Sequence, residues 1–476
     1  MTAESAPHGA CKMEWVITDI SDSADGARSD LLYGLHEVPP LRLSLLIALQ
    51  HVLAVFVGIV TPPLIISRAL GLPADDGVFL VSMALLVSGM GTLLQTRRLG
   101  PVGSGLLSIQ GTSFVFLGPI IALAQSVVAT GASQRDAMGV VFGVCLITSV
   151  IPIILSPFIR WASRLITPLV SGIVVTLIGL TLVEVGITSV GGGFAAKQDG
   201  SFGSAEHLVL ALIVIALIVS LNSGNRPWMR LMSVVAGLAG GCVVALVAGK
   251  VAPGDIGHAP WVAVPSLFRY GFGFKVTAIL PFAFLYVITA VESIGDITAT
   301  SALSGEPIAG ALYLHRLRGG VMADGVASLV AAILNSFPST TFAQNNGVIQ
   351  LTGVGSRYIG TWVGLMLMAL GLFPVVSSVV QAIPQAVLGG ATIIMFGTVA
   401  VAGIKILAGV NMDRRASTIA GLSLGIGLGV TFVPAIVSQM PQLARDLFSS
   451  GIAAGGMCAV CLNLLLPGRC GSDHLP

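Results

Sequence analysis

Charged side chains are scarce in this sequence. Asp, Glu, Lys and Arg make up 9% of its 476 residues, against roughly a quarter in an ordinary soluble domain, which excludes a soluble enzyme. Neither sign dominates: 23 basic and 21 acidic side chains leave a net charge of +2, too little for a nucleic-acid-binding field or a solvated acidic tail. Cysteine is sparse too. Its six copies (Cys11, Cys145, Cys242, Cys458, Cys461 and Cys470) are scattered, four of them inside apolar runs, so no disulfide framework is implied. Cys458 and Cys461 form a CxxC within a small-residue apolar segment without a second ligand pair, which points to helix packing and not to metal or redox chemistry. The seven histidines are dispersed and form no HExxH. With no metal-ligand cluster or nucleophile-base pair, a membrane-embedded enzyme is unsupported and no cofactor is expected.

Long uncharged stretches are what the chain has instead. Leu99 to Gln134, Leu231 to Gly249, Val276 to Val291, Gly325 to Ser356, Tyr358 to Ile404 and Ala416 to Ala444 contain no Asp, Glu, Lys or Arg. About 20 apolar residues cross a hydrocarbon layer, so several of these runs must cross more than once. Gly, Pro and charged turns divide them into fourteen candidate spans, near 43–67, 78–96, 104–126, 138–157, 165–186, 207–222, 231–249, 276–296, 319–337, 344–354, 358–380, 383–404, 416–439 and 450–467. The first 42 residues are acidic and lack a long apolar stretch; they read as a mobile cytoplasmic leader, not a signal peptide. With the amino terminus inside, 16 of the 23 Lys and Arg fall on the inner side, which favours both termini in the cytoplasm.

Fourteen is twice seven, and seven is odd, so two equivalent halves would insert with opposite orientation. Two short echoes suit that reading: ITPLVSG (Ile166, Val170, Gly172) against IPQAVLG (Ile383, Val387, Gly389), and SIQGTSF against FAQNNGV, which equates Gln110 with Gln344. The third and tenth segments are broken by Gly, Ser, Thr, Gln and Asn where a spanning helix would carry Leu and Val. Backbone leaves a helix at that depth only where it lines a protein-buried cavity, and two broken segments in matching positions point to a substrate site at the midplane. The alternative is that both are loops outside the bilayer.

Glu292 lies deep in an uncharged stretch, and Asp296 follows one helical turn later on the same face. Carboxylates are expensive in lipid and default to a functional reading, here proton binding in transport. Asp296 can equally be a helix-end carboxylate satisfied by amides of the broken segments. Asp324, behind the basic turn HRLRGG, either serves the mechanism or pairs with Arg316 or Arg318. His51 is a proton carrier or a hydrogen-bonding strut between helices. Glu184 reads as facing interfacial water.

These strings together resemble the nucleobase-ascorbate transporter family, and within it the bacterial xanthine and uric acid permease branch. QNNGVIQLTG at Gln344 to Gly353 fits the family signature, and LQHVLAVFVGIVTPPLI, GSGLLSIQGTSF, ITPLVSG, VESIGDITATS and GGVMADG accompany it in order. The resemblance implies a polytopic, all-α membrane protein of fourteen spans in two inverted seven-span repeats, with broken third and tenth segments forming the site. It implies a core domain at 43–157 and 276–380 and a gate domain at 158–250 and 381–467, flanked by the leader 1–42 and a tail 468–476. It further implies a homodimer in the plasma membrane, the inner membrane of a Gram-negative cell, and proton symport of an oxidised purine by movement of core against gate. On this resemblance Glu292 is the substrate-binding carboxylate, Gln344 the second binding side chain and Asn345 its selectivity-tuning neighbour. Asp324 and Asp296 are carboxylates of the mechanism, and His51 shapes affinity. Ser113 and Phe114 fall where branch members differ, some carrying Asn in place of Ser113, which leaves xanthine alone or xanthine with uric acid open.

The chemistry agrees. An oxidised purine presents alternating N–H and C=O groups, for which a carboxylate accepts and a carboxamide does both; an aromatic ring such as Phe114 can stack on its face. Two other readings are a nucleobase permease of another branch and an uncoupled anion exchanger of the same architecture, against which a glutamate at position 292 argues.

Overall fold

The computed structural model describes residues 31–159, 167–224, 226–250, 262, 265–441, 444–445, 448 and 450–466. Its helices fall on the apolar runs: α1 (Leu41–Ala69), α2 (Ala74–Arg97), α3 (Leu117–Val128), α4 (Gln134–Thr148), α5 (Val150–Leu155), α6 (Pro168–Val190), α7 (Gly193–Asp199), α8 (Ala205–Asn222), α9 (Pro227–Val247), α10 (Val276–Leu303), α11 (Gly310–Ile333), α12 (Gln344–Thr352), α13 (Arg357–Leu372), α14 (Pro374–Gln381), α15 (Gln385–Ala408), α16 (Arg414–Phe432) and α17 (Gly451–Leu465). Eight described helical spans are long and apolar enough to cross a bilayer; counting α13 and α14 as one, despite a 76° bend between them, makes nine. The protein is a polytopic helical membrane protein.

The fold class is all-helical, and the two broken segments are where the chain leaves the helix for short extended stretches. Residues 110–112 form strand β1 (Gln110–Thr112), which pairs antiparallel with β2 (Ser339–Thr341) in the register Gln110 to Thr341, Gly111 to Thr340 and Thr112 to Ser339. The ladder is extended by Ser113 N–H donating to the Pro338 carbonyl (2.8 Å) and Phe342 N–H to the Ile109 carbonyl (3.0 Å). Gly111 is required for the close approach: a Cβ there would sit 2.4 Å from the Phe342 ring. Each strand then runs into a helix, Phe114–Phe116 as a 3₁₀ turn into α3, and Gln344 onward as α12. The second echo is therefore out of register. Gln110 lies in the strand before one break, whereas Gln344 opens the helix after the other.

The first echo fares differently. α6 and α15 pack along their length through glycines: a Cβ on Gly172 would meet Leu407, one on Gly389 would meet Val190, one on Gly186 would meet Ile393 and one on Gly403 would meet Thr176. If Gly172 is equated with Gly389, each of these contacts maps onto its partner, the pattern of a self-complementary interface about a two-fold axis.

The leader is not free up to α1. Leu32 and Tyr33 N–H groups donate to the Gly353 carbonyl, Gly355 N–H to Tyr33 and Arg357 N–H to Leu35, so residues 32–35 are laid along the turn between α12 and α13. The leader to residue 30 and the tail 468–476, with Cys11 and Cys470, lie outside the described residues.

Arg68, in the last turn of α1, reaches the joint between α14 and α15. Its Nη2 donates to the carbonyls of Gln381 (2.7 Å) and Ile383 (2.6 Å), where α14 ends with unsatisfied carbonyls that favour a cation. Arg68→Gln is expected to destabilise the protein by about 2–4 kcal/mol, since charged hydrogen bonds contribute about 1.5–3 kcal/mol each. Thermal unfolding in detergent reads this, and Arg68→Lys should recover only part because an ammonium lacks the planar fork.

Candidate substrate and proton site

β1 packs against α1 and α2, and β2 against α10 and α11, and the side chains around them form one hydrogen-bonded network. Asp324, on α11 and 2% exposed, accepts from Gln95 Nε2 of α2 (3.0 Å), from Gln110 Nε2 of β1 and from Ser293 Oγ of α10. Ser293 in turn meets Thr340 Oγ1 (3.2 Å) and Thr341 Oγ1 (3.3 Å) of β2, and Thr341 donates to Asp296 Oδ2 (3.2 Å). A continuous path of hydroxyls thus joins Asp296 to Asp324. Gln110 is held from its other side by Ser339 Oγ (2.9 Å).

The open alternatives resolve accordingly. Asp324 does not pair with Arg316 or Arg318: Arg316 bridges Glu306 at 2.8 Å, and Asp324's donors are all neutral. Asp296 accepts from a side-chain hydroxyl rather than from amides of the broken segments. Glu292, one turn before Asp296, is left with its Oε2 buried and without a hydrogen-bond partner, the single unsatisfied carboxylate oxygen among the buried side-chain atoms described.

On the other side of the ladder, Asn345 is 1% exposed. Its Nδ2 donates to the Leu107 carbonyl, tying α12 to the extended segment before β1. His51 of α1 is fully buried beside Asn345 of α12. Gln344 is exposed at the first position of α12. Ser113 is 2% exposed with an unpartnered Oγ. Phe114 stacks against Phe342 (centroids 6.5 Å apart) and meets Phe396 of α15 edge-on at 5.4 Å. Glu184 is exposed on α6.

Gln95, Ser293, Thr341 and Asn346, whose Oδ1 accepts from Thr300 (2.7 Å), were not singled out from sequence. The available signal was a polar residue flanking each carboxylate or signature Asn, as in ESIGD and QNNG. The chain also contains one GxSxG string, Gly421 to Gly425, but it lies inside α16 with Ser423 fully buried, not at the strand-to-helix turn that exposes a nucleophile. Among the described residues no group of His, Cys, Asp and Glu can hold a metal ion.

A pair of interrupted segments meeting within a polytopic bundle beside buried carboxylates defines a membrane transporter of the broken-helix type. The profile of the Permease family matches residues 42–436, and the chain belongs to that family, the nucleobase-ascorbate transporters; it is a permease and not an enzyme. It is 47% identical over 445 residues to the xanthine permease XanP of Escherichia coli, covering 93% of this chain and 96% of that one. It is 44% identical over 442 residues to the xanthine permease XanQ of the same organism, covering 93% and 95%, and 35% identical over 424 residues to the uric acid permease PucJ of Bacillus subtilis, covering 88% and 91%. Among solved structures it resembles SLC26A9 (TM-score 0.59, 15% identity, 98% of this chain and 73% of that one) and the transmembrane domain of the cyanobacterial bicarbonate transporter BicA (0.56, 14%, 86% and 99%). At these identities the structural likeness shows the fold alone.

Proposed function

We propose that the protein is a proton-coupled symporter that imports oxidised purines, xanthine with uric acid tolerated more weakly. The observation that carries this reading is the buried, unpartnered Oε2 of Glu292, an acceptor awaiting a donor beside two carboxylates that are already satisfied. A purine ring N–H supplies such a donor, Gln344 engages the neighbouring edge, and Asp296 and Asp324 serve proton movement through the hydroxyl path between them. His51 and Asn345 shape the site's flank. The full architecture proposed is fourteen spans in two inverted repeats, a core (43–157, 276–380) moving against a gate (158–250, 381–467), in a homodimer with both termini cytoplasmic in the plasma membrane. The matched glycine contacts of α6 and α15 support the inversion. No cofactor is required beyond the proton gradient.

Labelled xanthine and uric acid uptake into cells lacking their own permeases tests the assignment, with competition by uracil, hypoxanthine, guanine and ascorbate. Inhibition by uracil but not by xanthine would move the protein to another branch.

Selectivity is proposed to hinge on Ser113. Glu292 and Gln344 read the edge that xanthine and uric acid share, so the C8 oxygen of uric acid needs space and a donor elsewhere, and the buried Ser113 hydroxyl without a partner offers both. Ser113→Asn is expected to reduce uric acid handling about tenfold or more with xanthine little changed, because the larger amide fills that space and must itself be satisfied. Competition assays decide it: equal losses for both purines, or none, remove Ser113 from the selectivity site.

A further inference from the structure

A second feature lies away from this site, where the turn after α2, the end of α5 and the first half of α11 meet. There a groove of about 470 Å³ is walled by Pro101, Pro157, Ala311, Leu314 and Met322, with His315 and Arg318 on its rim. Arg98 joins that rim: its Nη2 contacts His315 Nε2 at 2.5 Å. Arginine only donates, so Nε2 accepts in this contact and Nδ1 is the ring nitrogen left to donate. Among the described residues no Asp or Glu lines the groove. Leu99, Ile154, Phe158 and Leu312 nearby are 46–62% exposed, an apolar surface that in a membrane protein meets lipid.

We infer that this groove seats an anionic phospholipid, its phosphate on Arg318 and the Arg98–His315 pair and an acyl chain along Pro101, Pro157 and Leu314. The chemistry selects a lipid over a free anion: the rim supplies donors and positive charge for a phosphate, while the walls supply apolar surface that a small ion would leave wetted. Basic clefts at a bilayer surface hold anionic headgroups by this combination.

The site is framed rigidly, and its frame reaches Asp324. Gly103 N–H donates to the Gly319 carbonyl at 2.8 Å, and a Cβ on Gly319 would lie 2.2 Å from the Gly103 oxygen, so the turn carrying Arg98 sits directly on α11. Ser104 N–H donates to Gln95 Oε1 (3.0 Å), and the same glutamine's Nε2 donates to the Gly320 carbonyl (2.9 Å) and to Asp324 (3.0 Å). A lipid that clamps Arg98 to α11 therefore braces the residue that orients Gln95 on Asp324.

Native mass spectrometry of the purified full chain, equilibrated with equimolar phosphatidylglycerol and phosphatidylcholine, tests the inference. The wild type should retain phosphatidylglycerol roughly fivefold or more in preference, and the Arg318→Gln/His315→Gln variant should lose the preference. Ala311→Trp, which fills the groove and leaves the rim charges intact, should lose the bound lipid as well and keeps the test decisive if the double variant does not fold. Equal retention of the two lipids by the wild type overturns the proposal. So does an undiminished preference in a folded variant, or displacement of phosphatidylglycerol by millimolar inorganic phosphate, which would mark a free-anion site.

Discussion

Glu292→Gln is expected to abolish proton-driven accumulation while leaving insertion and folding intact. The substitution preserves shape and removes charge at a carboxylate whose Oε2 holds no partner in the resting structure, so no native hydrogen bond of that oxygen is broken. What is lost is a carboxylate acceptor for a purine N–H and a site that can bind and release a proton. A hydrogen bond to a charged group contributes about 1.5–3 kcal/mol, a factor of roughly ten to a hundred in binding, before any loss of coupling is counted. Uptake of labelled xanthine by cells expressing the variant, normalised to the amount of protein in the membrane, measures this. Wild-type accumulation by a correctly inserted variant would sink the assignment.

Asp324→Asn should be as damaging for transport and, unlike Glu292→Gln, should also lower thermal stability. Three donors converge on Asp324 from α2, β1 and α10, and a carboxylate can accept them all. An amide keeps the oxygen that faces Gln95 and Gln110 but presents its NH₂ to Ser293, whose hydroxyl must turn from donor to acceptor, and the bonds to a charged group become neutral ones, a loss of about 1–3 kcal/mol. Uptake is expected to fall more than tenfold and the melting temperature in detergent to drop by several degrees. Ser293→Ala removes one of the three donors and should show a smaller shift in both readouts. A melting temperature for Asp324→Asn equal to that of the wild type would mean that the network does not hold the strands together.

The helices were legible because their signal is long: every predicted span overlaps a helix, and boundaries such as Ala205–Asn222 or Gly451–Leu465 differ from expectation by a few residues. The strands were not, because three residues each of polar chain are too short for periodicity to register, and their pairing is set by a contact between segments far apart in sequence. The bend at Phe373 was hidden as well: Pro374 opens α14 as easily as it would punctuate a loop. Arg316 as a partner for Asp324 fails on geometry available beforehand, since eight helical residues rise about 12 Å, whereas Glu306 in the preceding turn is within reach. Which residues would bear charge in the membrane could be read directly. Which of them would be satisfied could not, since Gln95, Ser293 and Thr341 reach the carboxylates only through the packing of α2, α10 and β2. Contrasting Asp324, with its three donors, against Glu292, with an oxygen left over, requires the structure.

The central claim, proton-coupled purine transport, is tested most directly by proteoliposomes holding the purified chain and an internal pH dye. Xanthine added outside without an imposed gradient should acidify the lumen as it enters. An inward proton gradient should drive accumulation that collapses with a protonophore and is indifferent to sodium, and Glu292→Gln should show neither signal. Xanthine entry with no proton movement, or sodium-dependent accumulation that survives the protonophore, would contradict the account.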